Sequence, residues 1–521
     1  MRKTGFILGI IFIISSFSCT KTETADLAIT NVTIIDVTGA PARSEMTVLV
    51  RDNLISSVSR TEKMQIPKDA KVIDASGKYL IPGLWDMHVH SSYTGWFAKE
   101  DTWFIENNEI NKEIFFPLCI ANGVLGIRDL GGDLQALKRW RQEVEQKKLI
   151  GPRIIATGPI IDGPKPSFPL GSIAIGSAIE GRRVVNSLLQ EGADFIKVRE
   201  LIPRDAYFAI ADECKRLGIP LAGHVPKSVN AYEASDAGQK CIEHFTSSWL
   251  LSLCQPEELE KGPKSFDRLL HIYSEEKAKS VFKKFVGNGT WLCPTLVLDH
   301  RLSHLDEIDQ SNHPGLKYIP EYWIDNNWKP YLHRKLSNYS SEDAAYSKKA
   351  FNKQLKLTDI MNRSGVQLLA GTDTIGIYLV PGFSLHEELA LLVKAGLTPM
   401  EALKTATINP AKYLGLQDSL GTIGENKIAD LVLLDANPLE NISNTQKINA
   451  VIINGKFFSR ADLDIMLAQA LIKLPNKEIT TGYGVHWPEK AHDLSYYMQR
   501  AKKVGFNLVT RKEKDRWFSL I

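Results

Sequence analysis

Between Ile81 and Leu420 the chain alternates strand-like and helix-like stretches, and no other feature of its 521 residues limits the fold so severely. Ala193–Val198 reads as an apolar strand, and the stretch Arg204–Leu217 after it as a helix. Pro220–His224, a helix to Ala237, and Cys241–His244 follow. A further helix opens at Ser274 with Ala278, Val281, Phe282, Phe285 and Val286 on one face, and stops at Gly287-Asn288-Gly289. Next come a strand over Trp291–Val297, a polar and partly helical insertion over 297–363, and a strand over Val366–Ala370. Thr398-Pro399-Met400-Glu401 opens a late helix, with Pro at its first position and a capping box. Repeated βα units require a parallel sheet, because each parallel crossover takes a dozen or more residues that a helix supplies. About eight units fit the span, which favours an α/β (β/α)8 barrel of the TIM type over a doubly wound sheet.

The flanks differ. From Leu27 to Asp74 short β-branched runs such as Ala28–Asp36 and Thr47–Val50 lie between turn signals, and similar runs return at Ala429–Asp435 and Ala450–Lys456. Two such blocks around a long middle predict a small β-sandwich built from both chain ends. The expected organisation is a leader over 1–19, sandwich parts at 27–80 and 421–460, the barrel at 81–420, and a C-terminal extension at 461–521. That extension begins amphipathically at Ala461–Leu474, which predicts a helix packed on the barrel exterior.

Arg2 and Lys3, an apolar run from Gly5 to Ile14, and Ser15–Cys19 describe a signal for export. The run is too short to span a bilayer. Ser18-Cys19 resembles a bacterial lipobox, with Ser16 where an aliphatic residue is usual, so lipid attachment at Cys19 is expected. The expected product is an exported bacterial protein, periplasmic or on the cell surface, touching a membrane only through that anchor. A formal net charge of +3, two units of it in the leader, argues against nucleic acid as a partner. A small molecule is the expected partner, and a second copy of the chain a possible one. The other cysteines, Cys119, Cys214, Cys241, Cys254 and Cys293, form no CxxC pair, so a thiolate zinc site is not expected.

The chemistry begins at Ile81-Pro82-Gly83-Leu84-Trp85-Asp86-Met87-His88-Val89-His90. Side chains two apart on a strand share a face, so His88 and His90 can hold one metal ion at the mouth of a barrel. Lys197 sits in an otherwise apolar strand, where an unpaired ammonium is costly. It either snorkels to the strand end or is converted to a carbamate that bridges two ions. His224 ends the next strand, His244 the one after, and Asp373 follows the apolar run Leu368–Ala370. Each alone could be a core histidine or a turn aspartate. Their recurrence at successive strand ends points to a metal centre.

Taken together, Asp74–His90, Gly396–Leu403, Asn409-Pro410-Ala411, Leu420–Ile423 and Lys427–Val432 closely resemble motifs of the amidohydrolase superfamily, over roughly residues 27–460. The resemblance implies the barrel and the small β domain. It implies that His88, His90 and Asp373 bind the more buried of two divalent ions, and His224 and His244 the second. A carbamate on Lys197 would bridge them, about 3.5–4 Å apart. A bridging hydroxide would be the nucleophile, with Asp373 carrying its proton to the leaving group. Zinc is the default ion for such ligands, with manganese and iron compatible.

Three readings follow. One is binuclear hydrolysis of a C–N bond in a small amide or dipeptide-like compound, as in the prolidase-like branch. The second is mononuclear deamination or cyclic-amide or lactone hydrolysis. The third is a non-catalytic binding relative, whose lost ligands are not seen here. Lys227 stands where several deaminases carry Glu, which with Lys197 favours the first. Val225-Pro226 replaces an aromatic pattern of the prolidase-like enzymes, so their peptide preference does not transfer. Arg199 could meet a substrate carboxylate or form a rim salt bridge. Tyr93, Trp96, Trp103 and Phe104 could wall the site. His386 is a further substrate-binding candidate, in a segment that also reads as a capping box.

Overall fold

The computed structural model describes residues 25–92, 108–168, 171–307 and 313–473. The leader with Cys19, the aromatics Tyr93, Trp96, Trp103 and Phe104, and the chain beyond Lys473 lie outside the described residues.

Helix signals in the sequence act where they stand. Arg204–Leu217 buries Ala206, Tyr207, Ile210, Ala211 and Cys214 along one stripe and ends at Gly218 in the left-handed conformation. Glu275–Asn288 starts where the Ser274 side chain accepts from Lys277 N, and Gly289 ends it, again left-handed. Thr398 and Glu401 form a complete capping box at Pro399–Thr405. No capping box forms at Ser384–Glu387, because the helix Phe383–Lys394 starts from Gly382, and Ser384 Oγ accepts from Val380 N at 2.9 Å.

The strands between these helices run parallel. Leu84–Val89, Val124–Asp129 and Arg153–Ala156 pair in that order. Ile160–Asp162, Ile196–Val198, Leu221–Gly223, Gln239–Glu243 and Trp291–Cys293 form a second parallel array, with Ser172–Ala174 on its outer edge. Asp194 N donates to Ala156 O at 2.9 Å between the arrays. Parallel bridges at Leu292–Leu368 and Val89–Thr374 carry the ladder from the last strand towards the first. The result is a TIM-barrel-type α/β fold.

Two expected strands are shorter than their apolar runs. The chain turns out of Trp291–Cys293 at Thr295, whose φ is 49°, and a helix occupies Leu296–Ser303. Val366–Ala370 contributes a single bridge, at Leu368. Helices Lys329–Leu336 and Ser341–Arg363 fill much of the polar insertion.

Strands from both chain ends share one sheet. Tyr79–Pro82 pairs antiparallel with Leu431–Leu434, joining Leu27–Ile34, Arg43–Arg51 and Leu54–Arg60 to Ile448–Ile453 and Lys456–Ser459. The sheet branches: Leu27–Thr30 pairs with Lys71–Asp74, and Thr33–Ile34 with Tyr79–Leu80. Ile29, Val48, Ile55, Leu80, Leu431 and Ile452 are fully buried in its own core. Arg153 from the parallel array donates to Asp430 at 2.6 Å. The helix Arg460–Ile472 lies against Asn108–Ala121, with Ala470 buried beside Ile114 and Leu118. Among the described residues no helix is long and apolar enough to cross a membrane. Cys119, Cys214, Cys241, Cys254 and Cys293 are buried free thiols.

Candidate metal centre

His88 and His90, at the end of Leu84–Val89, meet Asp373 from the segment that follows the Leu368 bridge. Asp373 Oδ1 lies 3.3 Å from His88 Nε2 and 3.1 Å from His90 Nε2, and its Oδ2 lies 4.0 Å from His244 Nε2. The ring of His244 stands 4.4 Å from that of His88 and 5.1 Å from that of His224. Lys197 is buried in Ile196–Val198, and its charge acts on Asp373 and Glu243. The structure thus gathers the histidines, the lysine and the aspartate at one end of the parallel strands. Asp373 and His244 both have φ of 61°, in the left-handed region that costs a side-chain-bearing residue energy and concentrates at functional sites.

Outer partners settle which nitrogen of each imidazole is available. His88 Nδ1 donates to Glu243 Oε2 at 3.0 Å, His224 Nδ1 to Glu200 Oε1 at 3.1 Å, and His90 Nδ1 to Gly131 O at 2.9 Å. Thr295 Oγ1 donates to Pro294 O and therefore accepts from His244 Nδ1 at 2.6 Å. Each of the four rings spends Nδ1 on the protein and leaves Nε2 for another partner, the pattern of metal-ligating histidine. Burial, with nearby cations, holds His224 and His244 well below the ordinary imidazole range, so both are neutral donors.

His88 Nε2 and Asp373 Oδ1 are buried and make no hydrogen bond, although they face each other. Buried polar atoms without partners are rare, and this donor set suits a divalent cation. Among the described residues, His88, His244 and Asp373 come close enough to share an ion. So do His88, Glu243 and Cys293, but there Glu243 Oε1 is already bound by Arg128 at 2.7 Å, and burial keeps the Cys293 thiol protonated. Glu243 is thus a support of His88.

Arg199 stands beside the cluster. Its guanidinium stacks on Phe168 at 4.0 Å, and its charge acts on both Lys197 and His224. Lys227 lies at the surface, 4.0 Å from Glu200. His386 is not brought to the centre: Nδ1 bonds Thr445 Oγ1 at 2.9 Å and Nε2 bonds Asn122 O at 3.1 Å. Asn122 precedes the N-terminus of Val124–Asp129, whereas the cluster lies at the strands' C-terminal ends, so this buried imidazole is structural.

Several groups at the site escaped the sequence reading. Asp86 accepts from His88 N at 3.2 Å, Thr372 N at 3.0 Å and Thr372 Oγ1 at 2.7 Å, which ties the histidine strand to the segment carrying Asp373. Asp129 accepts from Ser91 N at 2.6 Å and Gly131 N at 3.2 Å, fixing the turn behind His90. Arg128 could have been found by the argument applied to Lys197, a lone cation inside an apolar strand.

Residues 79–458 match the model of the Amidohydrolase family. Ochratoxinase of Aspergillus niger is 25% identical over 430 residues, covering 71% of this chain and 73% of that protein. Among solved structures, a bottromycin amidohydrolase has a TM-score of 0.67 at 21% identity, covering 85% of this chain and 89% of that one. A Xaa-Pro dipeptidase with bound methionine in the active site has a TM-score of 0.62 at 20% identity, covering 83% and 99%. The chain belongs to the amidohydrolase family, hydrolases of carbon–nitrogen bonds.

Proposed function

We propose that the protein hydrolyses an amide or dipeptide-like C–N bond of a small molecule at a centre holding two divalent cations, zinc by default. His88, His90 and Asp373 would hold the more buried ion, and His224 and His244 the second, with Lys197 between them as a carbamate. When bound, such ions supply a water of lowered pKa and polarise the scissile carbonyl. The observation that carries this reading is that all four histidines have Nδ1 engaged by the protein.

The chain's own groups have separable tasks. Burial pulls the Lys197 ammonium down to about 8, which leaves part of it as the neutral amine that can add carbon dioxide. Asp373 turns Oδ1 to His88 and His90, leaving Oδ2 to take the attacking water's proton and return it to the leaving nitrogen. Arg199, held against Phe168, would receive a substrate carboxylate. The leader motif supports export with a lipid anchor at Cys19.

Metal content per chain, measured by elemental analysis of protein purified without chelators, tests this reading. About two equivalents are expected. One equivalent would replace it with the mononuclear deaminase or cyclic-amide reading. None, even after reconstitution with zinc or manganese, would overturn the metal-dependent mechanism.

A further inference from the structure

Arg128 has no task in the chemistry proposed above, yet it is among the largest fully buried side chains of the protein. Desolvating a guanidinium is costly, so the contacts that Nε and Nη2 make indicate its task, while Nη1 has no hydrogen-bond partner among the described residues. Its Nε donates to Met87 O at 2.7 Å, and its Nη2 to Glu243 Oε1 at 2.7 Å. The rings of Tyr413 and Phe195 lie 5.0 Å and 5.6 Å from the guanidinium carbon and restrict its plane. Met87 O is the carbonyl immediately before His88, and Glu243 Oε2 accepts from His88 Nδ1. One guanidinium therefore grips His88 twice, through the backbone that precedes it and through the carboxylate that orients its ring.

The arrangement also solves an electrostatic problem. Glu243 sits fully buried between a candidate ligand and the Cys293 thiol, where an unheld carboxylate would be free to swing and ligate a cation itself. With Oε1 held by Arg128 and Oε2 by His88, it cannot. We infer that Arg128 is a positioning residue, which fixes Glu243 as the anionic outer partner of His88 and so sets how tightly the buried cation is held. This inference rests on the metal-centre reading above.

The test is zinc affinity of the full-length protein, stripped with chelator and titrated against a chromophoric competitor, alongside the melting temperature. Glu243→Gln keeps the shape and removes the charge, and should bind zinc roughly 10–100-fold more weakly. Arg128→Lys keeps the charge and loses the fork, and should weaken zinc by about tenfold in the wild-type background. Added to Glu243→Gln, it should cause a smaller loss than in the wild-type background, because the part of its effect that passes through Glu243 is already gone. A residue that merely fills the core would lower the melting temperature and leave zinc affinity alone. Folded variants with wild-type affinity overturn the inference, as does an equal loss from Arg128→Lys in both backgrounds. If Glu243→Gln fails to fold, Glu243→Asp, which draws the carboxylate back from His88, takes its place with the same criteria. A wild-type protein that binds no zinc overturns the metal-centre reading itself, an outcome distinct from unchanged affinity in the variants.

Discussion

Glu388 offers a stability test away from the proposed ligands. It sits on the helix Phe383–Lys394, fully buried, and its Oε2 accepts from Val297 N at 2.7 Å. It thereby caps the helix Leu296–Ser303, whose preceding residue Thr295 provides no side-chain cap. Its Oε1 is buried without a hydrogen bond among the described residues. Burial pushes this carboxyl up to about 8, against the pull of the Val297 and Leu296 amides and with help from Asp86 and Asp299. The ordinary value is 4.5, so between these limits the folded chain keeps a proton that the unfolded chain has released. Folding stability must therefore fall as pH rises through that window, by about 1.4 kcal/mol per pH unit. From roughly pH 5.5 to 7.5 the loss from this group is about 2.5 kcal/mol. Glu388→Gln keeps the carbonyl that caps Val297 and never ionises, at a pH-independent cost of about 1 kcal/mol for the amide left unpaired. The variant should gain about 2.5 kcal/mol on the wild type across that range, and should fall below it only under about pH 5. Urea midpoints across that range, at constant slope, measure it. Stability curves that stay parallel would refute the reasoning. Asp299, also raised by burial to about 8, adds to the slope and remains in the variant.

Three further outcomes are expected. Asp373→Asn should lower kcat by about 10²–10⁴-fold with the melting temperature kept, and comparable activity would end its proton-transfer role. Gly223→Ala should destabilise by at least about 3 kcal/mol, because φ is +127° and a Cβ there would stand 2.2 Å from Val198 O. The control Gly287→Ala, in open space on a helix, should be neutral or stabilising by about 0.5 kcal/mol, and equal effects at the two positions would defeat the steric argument. Cys19→Ser should release the protein from the membrane fraction, and unchanged fractionation would remove the anchor.

The centre's inner residues were legible because each ends an apolar stretch and is itself out of place there. Lys197 and His224 needed only local context to be noticed. The outer partners depend on pairings between distant segments: Glu243 matters because it meets His88, and Asp86 because it meets Thr372. Nothing in either neighbourhood announces the other. His386 shows the converse, since a histidine near an active-site strand in sequence is drawn off by Asn122 and Thr445. Strand ends were misjudged for a similar reason. Trp291–Val297 is apolar but for Thr295, which turns the chain where it accepts from His244. Capping signals fared better at Ser274 and Thr398, where side chain and backbone lie within one turn.

The sheet that joins the chain's two ends has a consequence for the order in which the protein can be made. Pro82 and Ile81 find their partners only when Leu431 and Val432 have emerged. Until then Tyr79–Pro82 is an apolar edge beside Leu27–Ile34, the kind of edge that recruits other chains. Export of the unfolded chain, as proposed above, would avoid that hazard by letting both halves complete afterwards. One halted before residue 431 has no such escape.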